Sequence, residues 1–196
     1  MFPDPKASLR RQMSGLLREM RDEAPTLSAR IVRAIGSSPF WRAGKTVMAY
    51  LAMPGEVDLD ALWSLEDRPR LCVPVPDWDS RSMTPVVIED LARDLRRMRE
   101  GRHPSMPGGL REPAHGLESV VPSELDVILV PALAFDPRGR RLGRSGGFYD
   151  RFLGGLGPQT LTVGVCFGGQ LVQDVPVEPH DVAVRMLVTE HGVRSI

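Results

Sequence analysis

The 196-residue sequence predicts a single α/β domain spanning residues 1 to 196, with a mainly parallel central sheet and helices on both faces. First, short apolar runs of strand length alternate with segments whose apolar residues recur at helical spacing. Second, residues 126 to 135 (DVILVPALAF) are apolar on both faces, as are parallel strands buried under helices. Third, the length is close to that of one domain, which is roughly 150 residues.

The individual elements follow from the same patterns. Asp4-Pro5 is an N-cap followed by proline at the first helical position, which predicts a first helix over residues 5 to 22. A second helix follows Pro25 and ends at Pro39, a short helix is capped by Asp58, and a last helix begins at Tyr149. Proline and glycine between residues 103 and 116 predict a long ordered loop. Strands are predicted at residues 46 to 52, 71 to 75, 83 to 88, 126 to 135, 160 to 167 and 187 to 189.

The composition argues against several classes of protein. Formal net charge is zero, so no overall field attracts nucleic acid or an anionic membrane. Residues 1 to 20 carry charges throughout, unlike a signal peptide, and no apolar run approaches the ~18 residues of a membrane span. Cys72 and Cys166 lie in apolar stretches, which favours buried free thiols in a reducing cytosol over a catalytic thiol. We therefore expect a cytoplasmic protein that binds neither nucleic acid nor membrane, and we expect a monomer.

A loop rich in glycine and arginine follows the apolar strand at 126 to 135 and reads GRRLGRSGGFYD from Gly139 to Asp150. A carboxylate at Asp150 would be repelled by phosphates unless a cation intervenes, and the Mg²⁺ bound to ATP is the usual cation. The alternative is a mobile surface loop with solvated arginines, but a position beyond the carboxyl end of a buried strand favours a ligand site. The glycines let backbone amides approach an anion, and the arginines are strong phosphate donors; they are Gly139, Gly143, Gly146, Gly147, Arg140, Arg141 and Arg144.

This loop does not match the common nucleotide-binding patterns. It lacks the GxxxxGK[ST] of a P-loop, and Gly44-Lys45-Thr46 fails the same pattern because Pro39 stands where the first glycine is required. It also lacks GxGxxG, which argues against a dinucleotide site. His103 and His115 have no partners at zinc-ligand spacing, so a zinc site is not expected.

Four residues outside the loop have two interpretations each. Lys6 and Arg10 lie four residues apart on one face of the first helix and could contact a phosphate or form an ordinary solvated face. Glu56 follows the strand at 46 to 52 and could hydrogen-bond a substrate amine or amide, or be an ordinary loop carboxylate. Asp181, in a turn after Pro179, could be a second metal-facing carboxylate or a surface residue.

Several segments together resemble one family over nearly the whole chain, the 5-formyltetrahydrofolate cyclo-ligases, also called methenyltetrahydrofolate synthetases. The segments match the family in order and spacing as well as in residue types. The longest segment, at 130 to 153, is highly specific. The segments are KASLR at 6 to 10, YLAMPGE at 50 to 56, VPALAFDPRGRRLGRSGGFYDRFL at 130 to 153, GVCF with a following glutamine at 164 to 170, and VPVEPHD at 175 to 181.

The resemblance implies an enzyme that converts 5-formyltetrahydrofolate and ATP, with Mg²⁺, to 5,10-methenyltetrahydrofolate, ADP and phosphate through a phosphorylated formyl (iminophosphate) intermediate. Folate and ATP are then its small-molecule partners. By the same resemblance, the residues that contact ATP are Lys6, Arg10, Arg141, Gly143, Arg144, Gly146, Gly147 and Tyr149. Those implied elsewhere are Leu51, Glu56 and Phe148 for folate, Asp150 and Asp181 for Mg²⁺, and Arg144 and Asp150 for catalysis.

The chain departs from the family pattern at Ser145, where glycine is common, and at Phe148, where tyrosine is common. A positive φ at Ser145 would cost about 1 kcal/mol, and Phe148 lacks a hydroxyl that could bind substrate or phosphate. Because of these departures, a second hypothesis is that the chain is a relative that binds folate or nucleotide without turnover. An arginine-rich RNA-binding module is a third hypothesis, and zero net charge argues against it. Arg185 stands where an acidic residue is common, and nothing in the sequence explains it.

Overall fold

The structure is a computed structural model that describes residues 4–98, 110–144 and 146–196. Its α-helices are α1 (Pro5–Glu19), α2 (Ala24–Gly36), α3 (Pro39–Ala43), α4 (Leu91–Asp94) and α5 (Phe148–Gly154). Short 3-10 helices lie at Met20–Asp22, Asp60–Ser64, Pro122–Glu124 and Gly168–Gln170. None of the described helices is long and apolar enough to cross a membrane. The strands are β1 (Thr46–Met48), β2 (Arg70–Asp77), β3 (Ser82–Val87), β4 (Leu95–Arg97), β5 (Arg111–Pro113), β6 (Val127–Pro131), β7 (Ala134–Phe135), β8 (Arg141–Leu142), β9 (Leu161–Val165), β10 (Met186–Thr189) and β11 (Gly192–Ser195).

A seven-stranded sheet forms the centre of the described chain, in the order β11-β10-β9-β6-β1-β2-β3. The inner strands pair in parallel, whereas β3 and β11 pair antiparallel at the two edges. This mainly parallel sheet confirms the predicted α/β class. Because the direction of strand progression reverses between β1 and β6, a ligand site is expected beyond the carboxyl ends of these two strands.

Apolar residues pack on both faces of the sheet. Along β1, Val47 belongs to the core cluster that contains Met13 of α1 and Ile31 of α2, whereas Met48 belongs to the cluster that contains Leu153 of α5. This alternation is the expected one, because successive side chains of a strand point to opposite faces. Helices α1 to α3 therefore cover one face and α5 covers the other, as predicted.

The two cysteines are buried free thiols, as predicted. Cys72 lies in β2, and Cys166 directly follows β9. Burial raises the pKa of the Cys72 thiol to about 12, and it raises that of Cys166 as well. Because the thiolate is the nucleophilic form, neither cysteine is suited to catalysis at neutral pH.

The helix starts follow local capping. Asp4 accepts a hydrogen bond from the backbone N–H of Lys6 at 2.9 Å, and Pro5 is the first residue of α1, as predicted. The prediction that Pro39 ends the second helix is wrong, because α2 ends at Gly36 and Pro39 is the first residue of α3. Ser38 caps α3, with its Oγ accepting from the backbone N–H of Trp41 at 3.2 Å. Proline suits the first helical turn because no N–H partner is needed there.

The strand predicted over residues 126 to 135 is two strands, β6 and β7, which are separated at Ala132-Leu133. The Nε2 of Gln170 donates to the carbonyl oxygens of Ala132 at 2.9 Å and Leu133 at 3.1 Å. These carbonyls are satisfied by a side chain instead of the sheet, and β7 pairs with β8 outside it. The strand predicted over residues 46 to 52 is also too long, since β1 ends at Met48.

Four described strands were not predicted, namely β4, β5, β8 and β11. Residues 103 to 116 were expected to form a loop, but Arg111–Pro113 form β5 and pair antiparallel with β4. Residues 103 to 109 of that predicted loop lie outside the described residues.

The β7–β8 hairpin is organised by Asp136, whose side chain is completely buried. Its carboxylate accepts from the backbone N–H of Arg138 at 2.9 Å, from that of Val175 at 3.0 Å, and from Nε of Arg140 at 2.5 Å. Burial alone would raise the pKa of this carboxyl, but the hydrogen bonds outweigh burial and lower it. At Gly139, φ is +74° and an added Cβ would lie 2.2 Å from the carbonyl oxygen of Val184. The hairpin is thereby held against residues 174 to 184.

Replacing Asp136 with asparagine should lower the free energy of unfolding by about 3 kcal/mol, because an amide turns one N–H group toward buried donors and removes the buried partner of Arg140. The matched control is Asp174→Asn, since Asp174 also pairs with Arg140 but is largely exposed. That control should lose less than about 1 kcal/mol. Urea denaturation at pH 7 measures both changes, and equal losses in the two variants would contradict the assigned role of Asp136.

Candidate functional site

The predicted site residues converge beyond the carboxyl ends of β1 and β6. Leu51 and Glu56 lie on the segment after β1, where Leu51 is half-buried. The glycine-rich loop leaves β8 at Gly143 and enters α5 at Phe148. Helix α1 reaches the same place, since Nε of Arg10 donates to the carbonyl oxygen of Gly143 at 3.2 Å. Three segments distant in sequence therefore surround one region, at the point where strand order reverses.

Arg144 joins the glycine-rich loop to the segment after β1. Its Nε donates to Oε1 of Glu56 at 2.8 Å, and its Nη2 donates to the carbonyl oxygen of Pro54 at 2.7 Å. The other oxygen of Glu56, Oε2, accepts from the backbone N–H of Met53 at 2.9 Å. The Glu56 side chain is 8% exposed, whereas that of Arg144 is 35% exposed. A residue that was predicted to bind phosphate, Arg144, thus contacts a residue that was predicted to bind folate, Glu56.

Arg141 lies beside Asp150, one of the two carboxylates that were predicted to bind metal. Its Nη2 donates to Oδ1 of Asp150 at 2.7 Å, and its Nη1 donates to the carbonyl oxygen of Val182. The same Oδ1 accepts from the backbone N–H of Val182 at 3.1 Å, which brings Asp150 beside the residue that follows Asp181. Burial lowers the pKa of the Arg141 guanidinium, although the negative charges of Asp150 and Asp181 oppose that shift.

Lys6 at the start of α1 binds the turn that carries Asp181. Its Nζ donates to Oδ2 of Asp181 at 2.7 Å and lies 3.2 Å from Oε1 of Glu178. The same Oδ2 accepts from the backbone N–H of Glu178 at 2.7 Å. Burial opposes both charges, but these hydrogen bonds raise the pKa of Lys6 and lower that of Asp181. Both groups are therefore charged at neutral pH.

Tyr149 holds a buried hydroxyl with no hydrogen-bond partner among the described residues. Burial raises the pKa of this tyrosine, and the negative charge of Glu56 raises it further while the charge of Arg141 opposes the shift. The hydroxyl is therefore protonated and has a donor to offer. An orphaned buried donor in a native fold calls for an explanation, and a bound ligand is one.

The remaining loop residues have distinct surroundings. Gly146 and Gly147 have φ of +85° and +64°, a region that favours glycine. The ring of Phe148 meets the ring of Trp78 edge-on, with centroids 4.8 Å apart and planes at 77°. Ser145, which directly precedes Gly146, lies outside the described part of the chain. Trp78, in the turn between β2 and β3, was missed by the sequence analysis, although a tryptophan in a polar DWDS turn is an unusual residue that could have drawn attention.

Arg140 corrects an expectation about the loop. The sequence suggested three arginines as phosphate donors. Arg140, however, lies in the β7–β8 turn and binds Asp136 of that turn and Asp174 of a later segment. It therefore stabilises the hairpin, and the basic residues that remain at the site are Lys6, Arg10, Arg141 and Arg144.

The acidic side chains of the site suit a metal that is bound together with phosphates. Among residues 4–98, 110–144 and 146–196, no group of three or more His, Cys, Asp or Glu side chains could hold a metal ion. A Mg²⁺ ion bound with ATP needs only one or two carboxylates, because phosphate oxygens and waters complete its coordination. Asp150 and Asp181 lie on segments joined by the hydrogen bond from the backbone N–H of Val182 to Asp150, and these two carboxylates fit that requirement.

Comparison with known proteins identifies the family. The model of the 5-formyltetrahydrofolate cyclo-ligase family matches residues 4–190. The chain belongs to this family. It is 38% identical over 152 residues to the 5-formyltetrahydrofolate cyclo-ligase of Mycolicibacterium smegmatis, covering 75% of this chain and 74% of the relative. It is also 30% identical over 206 residues to the mitochondrial 5-formyltetrahydrofolate cyclo-ligase of Arabidopsis thaliana, covering 94% and 71%.

Solved structures agree with this family. The NMR structure of the Aquifex aeolicus 5,10-methenyltetrahydrofolate synthetase aligns with a TM-score of 0.75 at 30% identity, covering 97% of this chain and 92% of that chain. A synthetase from Mycoplasma pneumoniae aligns with a TM-score of 0.71 at 19% identity and supports the fold alone. The cyclo-ligase family resemblance drawn from the segments between residues 6 and 181 is confirmed, and so is the prediction of a ligase enzyme.

The stability that is lost when the Lys6 ammonium is removed should depend on pH, because the ion pair needs an ionised Asp181. Lys6→Met should lower the free energy of unfolding by about 1 kcal/mol at pH 7. The lowered pKa of Asp181 means that the pair contributes fully above the unfolded value of about 3.9 and is lost as pH falls through the folded value. The deficit of Lys6→Met relative to wild type should therefore shrink as pH falls below about 4 in urea denaturation.

Arg11→Met is the matched control, because Arg11 is an exposed cation on the same helix. A deficit in Lys6→Met that does not change with pH, or an equal deficit in Arg11→Met, would contradict the specific pairing with Asp181.

Proposed function

We propose that this chain converts 5-formyltetrahydrofolate and ATP, with Mg²⁺, to 5,10-methenyltetrahydrofolate, ADP and phosphate through an iminophosphate intermediate. The observation that carries the proposal is the contact between Arg144 of the glycine-rich loop and Glu56 after β1, because it joins a phosphate site to a second substrate site. Family membership and the activities of the named relatives support it. Residues 1 to 196 then act as one catalytic domain, as a monomer in the cytoplasm.

The ATP phosphates would bind among the basic residues of α1 and the glycine-rich loop. In the free protein each of these cations already has an oxygen partner: Lys6 has Asp181, Arg10 has Gly143, Arg141 has Asp150 and Arg144 has Glu56. Phosphate oxygens would replace these partners. The other members of the proposed ATP site are Gly146, Gly147 and Tyr149, and the first two provide backbone approach at positive φ.

The proposed metal ligands are Asp150 and Asp181. Mg²⁺ would neutralise charge on the phosphate oxygens and hold them in line for transfer. Arg141 contacts Asp150 and the carbonyl oxygen of Val182, and so links Asp150 to the segment that carries Asp181. Arg144 and Asp150 are the proposed catalytic residues, because a guanidinium and a metal-bound carboxylate would stabilise the charge that develops on the transferred group.

The proposed folate site consists of Leu51, Glu56 and Phe148. Glu56 would accept hydrogen bonds from the pterin amide or amine, and the ring of Phe148, held edge-on by Trp78, would line the formyl-bearing ring. The formyl oxygen then bonds to the γ-phosphorus as the bond to ADP breaks. N10 adds to the formyl carbon and loses its proton, and the carbon–oxygen bond breaks to release phosphate. Positioning and charge neutralisation are the main demands of this chemistry.

The proposal predicts that the purified protein, given ATP, Mg²⁺ and 5-formyltetrahydrofolate, forms the methenyl product, measured by its absorbance with coupled ADP release. Asp150→Asn should lower kcat by roughly 10²-fold or more, because a catalytic electrostatic partner is lost. Asp174→Asn, an exposed carboxylate outside the site, should retain wild-type kcat.

No product from the wild-type protein would sink the cyclo-ligase proposal for this chain. The alternative is a relative that binds folate or nucleotide without turnover, altered at Ser145 and Phe148. That alternative requires ligand binding without product, and restored turnover in Ser145→Gly together with Phe148→Tyr.

Tyr149→Phe should separate ligand binding from stability. The hydroxyl has no partner among the described residues, so its removal should leave the free energy of unfolding unchanged or raise it by up to about 1 kcal/mol. If the hydroxyl donates to ATP, KM for ATP should rise about tenfold, as expected for one lost hydrogen bond in a buried site. Tyr50→Phe is the matched control: its hydroxyl donates to the carbonyl oxygen of Val57 at 3.1 Å, so this variant should lose about 1 kcal/mol of stability. An unchanged KM in Tyr149→Phe would contradict the assignment.

A further inference from the structure

Arg144 and Glu56 form an ion pair with each other, although the proposed reaction needs them for different substrates. Two donors of Arg144 are taken up by the segment after β1, one by Glu56 and one by the carbonyl oxygen of Pro54. Both oxygens of Glu56 are also engaged, by Arg144 and by the backbone N–H of Met53. The Nε donor of Arg144 and both carboxylate oxygens of Glu56 are therefore engaged within the protein.

The local fold shapes this contact. Residues 53 to 56 form a tight turn, with the backbone N–H of Glu56 donating to the carbonyl oxygen of Met53 at 2.9 Å. Gly55 in this turn has φ of +85°, and an added Cβ would lie 3.9 Å from Nη2 of Arg144 and 3.4 Å from Leu17. The turn is packed between α1 and the arginine, and Glu56 is nearly buried. The pair is thus a built element of the site and not a chance contact between solvated chains.

We propose that the Arg144–Glu56 pair couples the binding of the two substrates, an inference that rests on the proposed function. A guanidinium neutralised by a carboxylate attracts phosphate weakly, so the free protein binds a nucleoside triphosphate with only the fraction of molecules in which Arg144 is released. Folate that occupies Glu56 releases Arg144 for the phosphates. Because coupling is reciprocal, the triphosphate strengthens folate binding by the same factor. The pair therefore lowers nucleotide affinity until the acceptor is present.

The direction in which one variant changes nucleotide affinity distinguishes coupling from simple support of the loop. If the pair only held the loop in shape, breaking it would weaken nucleotide binding. If the pair withholds Arg144, breaking it from the Glu56 side tightens nucleotide binding in the absence of folate. A variant that damages the folate site then improves the other site, which general disruption does not do.

The experiment titrates the full chain with the Mg²⁺ complex of the β,γ-imido analogue of ATP in a calorimeter, without folate. Glu56→Gln should bind about fivefold more tightly than wild type, the lower end of typical coupling factors. Glu56→Asp should also bind more tightly, because the shorter side chain keeps the charge but does not reach Arg144. In an Arg144→Gln background, the Glu56→Gln change should have no effect. With 5-formyltetrahydrofolate present, wild type should bind the analogue about fivefold more tightly.

Asp58→Asn is the matched control, since it removes a nearby negative charge and keeps the oxygen that accepts from the backbone N–H of Asp60 at 2.9 Å. Equal tightening in Asp58→Asn and Glu56→Gln would assign the effect to bulk charge and overturn the inference. Unchanged or weaker binding by Glu56→Gln and Glu56→Asp, with normal binding by wild type, would also overturn it while leaving the proposed function intact. Absence of any nucleotide binding by wild type would instead overturn the proposed function itself.

Discussion

The buried carboxylate of Asp136 is the interaction on which the site geometry depends. Its donors come from two segments, the β7–β8 turn through Arg138 and Arg140, and the segment after the Gly168–Gln170 helix through Val175. The first segment leads to Arg141 and Asp150, and the second leads to Asp181. A buried charge is tolerable only when its hydrogen bonds are satisfied, and here that requirement ties the two proposed metal ligands to one anchor.

Charge compensation governs the free state of the site. Each basic side chain at the site has an oxygen partner, and the two most buried pairs, Arg141–Asp150 and Lys6–Asp181, link separate segments. Such pairing links the segments of the site to one another, and under the proposed function substrate binding becomes an exchange of partners. The Tyr149 hydroxyl differs, since it is buried without a partner among the described residues. An unsatisfied buried donor lowers the stability of the fold, and under the proposed function a bound acceptor removes that penalty.

Local patterns predicted much of the fold. Asp4-Pro5 and the helical spacing gave α1, and the apolar runs gave β1, β2, β3, β6, β9 and β10. The break after β6 was not predictable, because the side chain that satisfies Ala132 and Leu133 belongs to Gln170, 38 and 37 residues away. Strand β8 was missed for a related reason: it exists only because Asp136 and Gly139 fold it back on β7, and two residues carry no periodicity.

The composition of the loop predicted a phosphate site, but the roles of its arginines depended on contacts that sequence does not contain. Arg144 pairs with Glu56, 88 residues away, and Lys6 pairs with Asp181, 175 residues away. Arg140 and Arg141 are neighbours of equal chemistry, yet Arg141 is 3% exposed and faces Asp150, whereas Arg140 faces the turn. Successive side chains in an extended segment point to opposite sides, so one of two adjacent arginines must leave the site. Which one leaves is decided by the register of a hairpin that Asp136 sets.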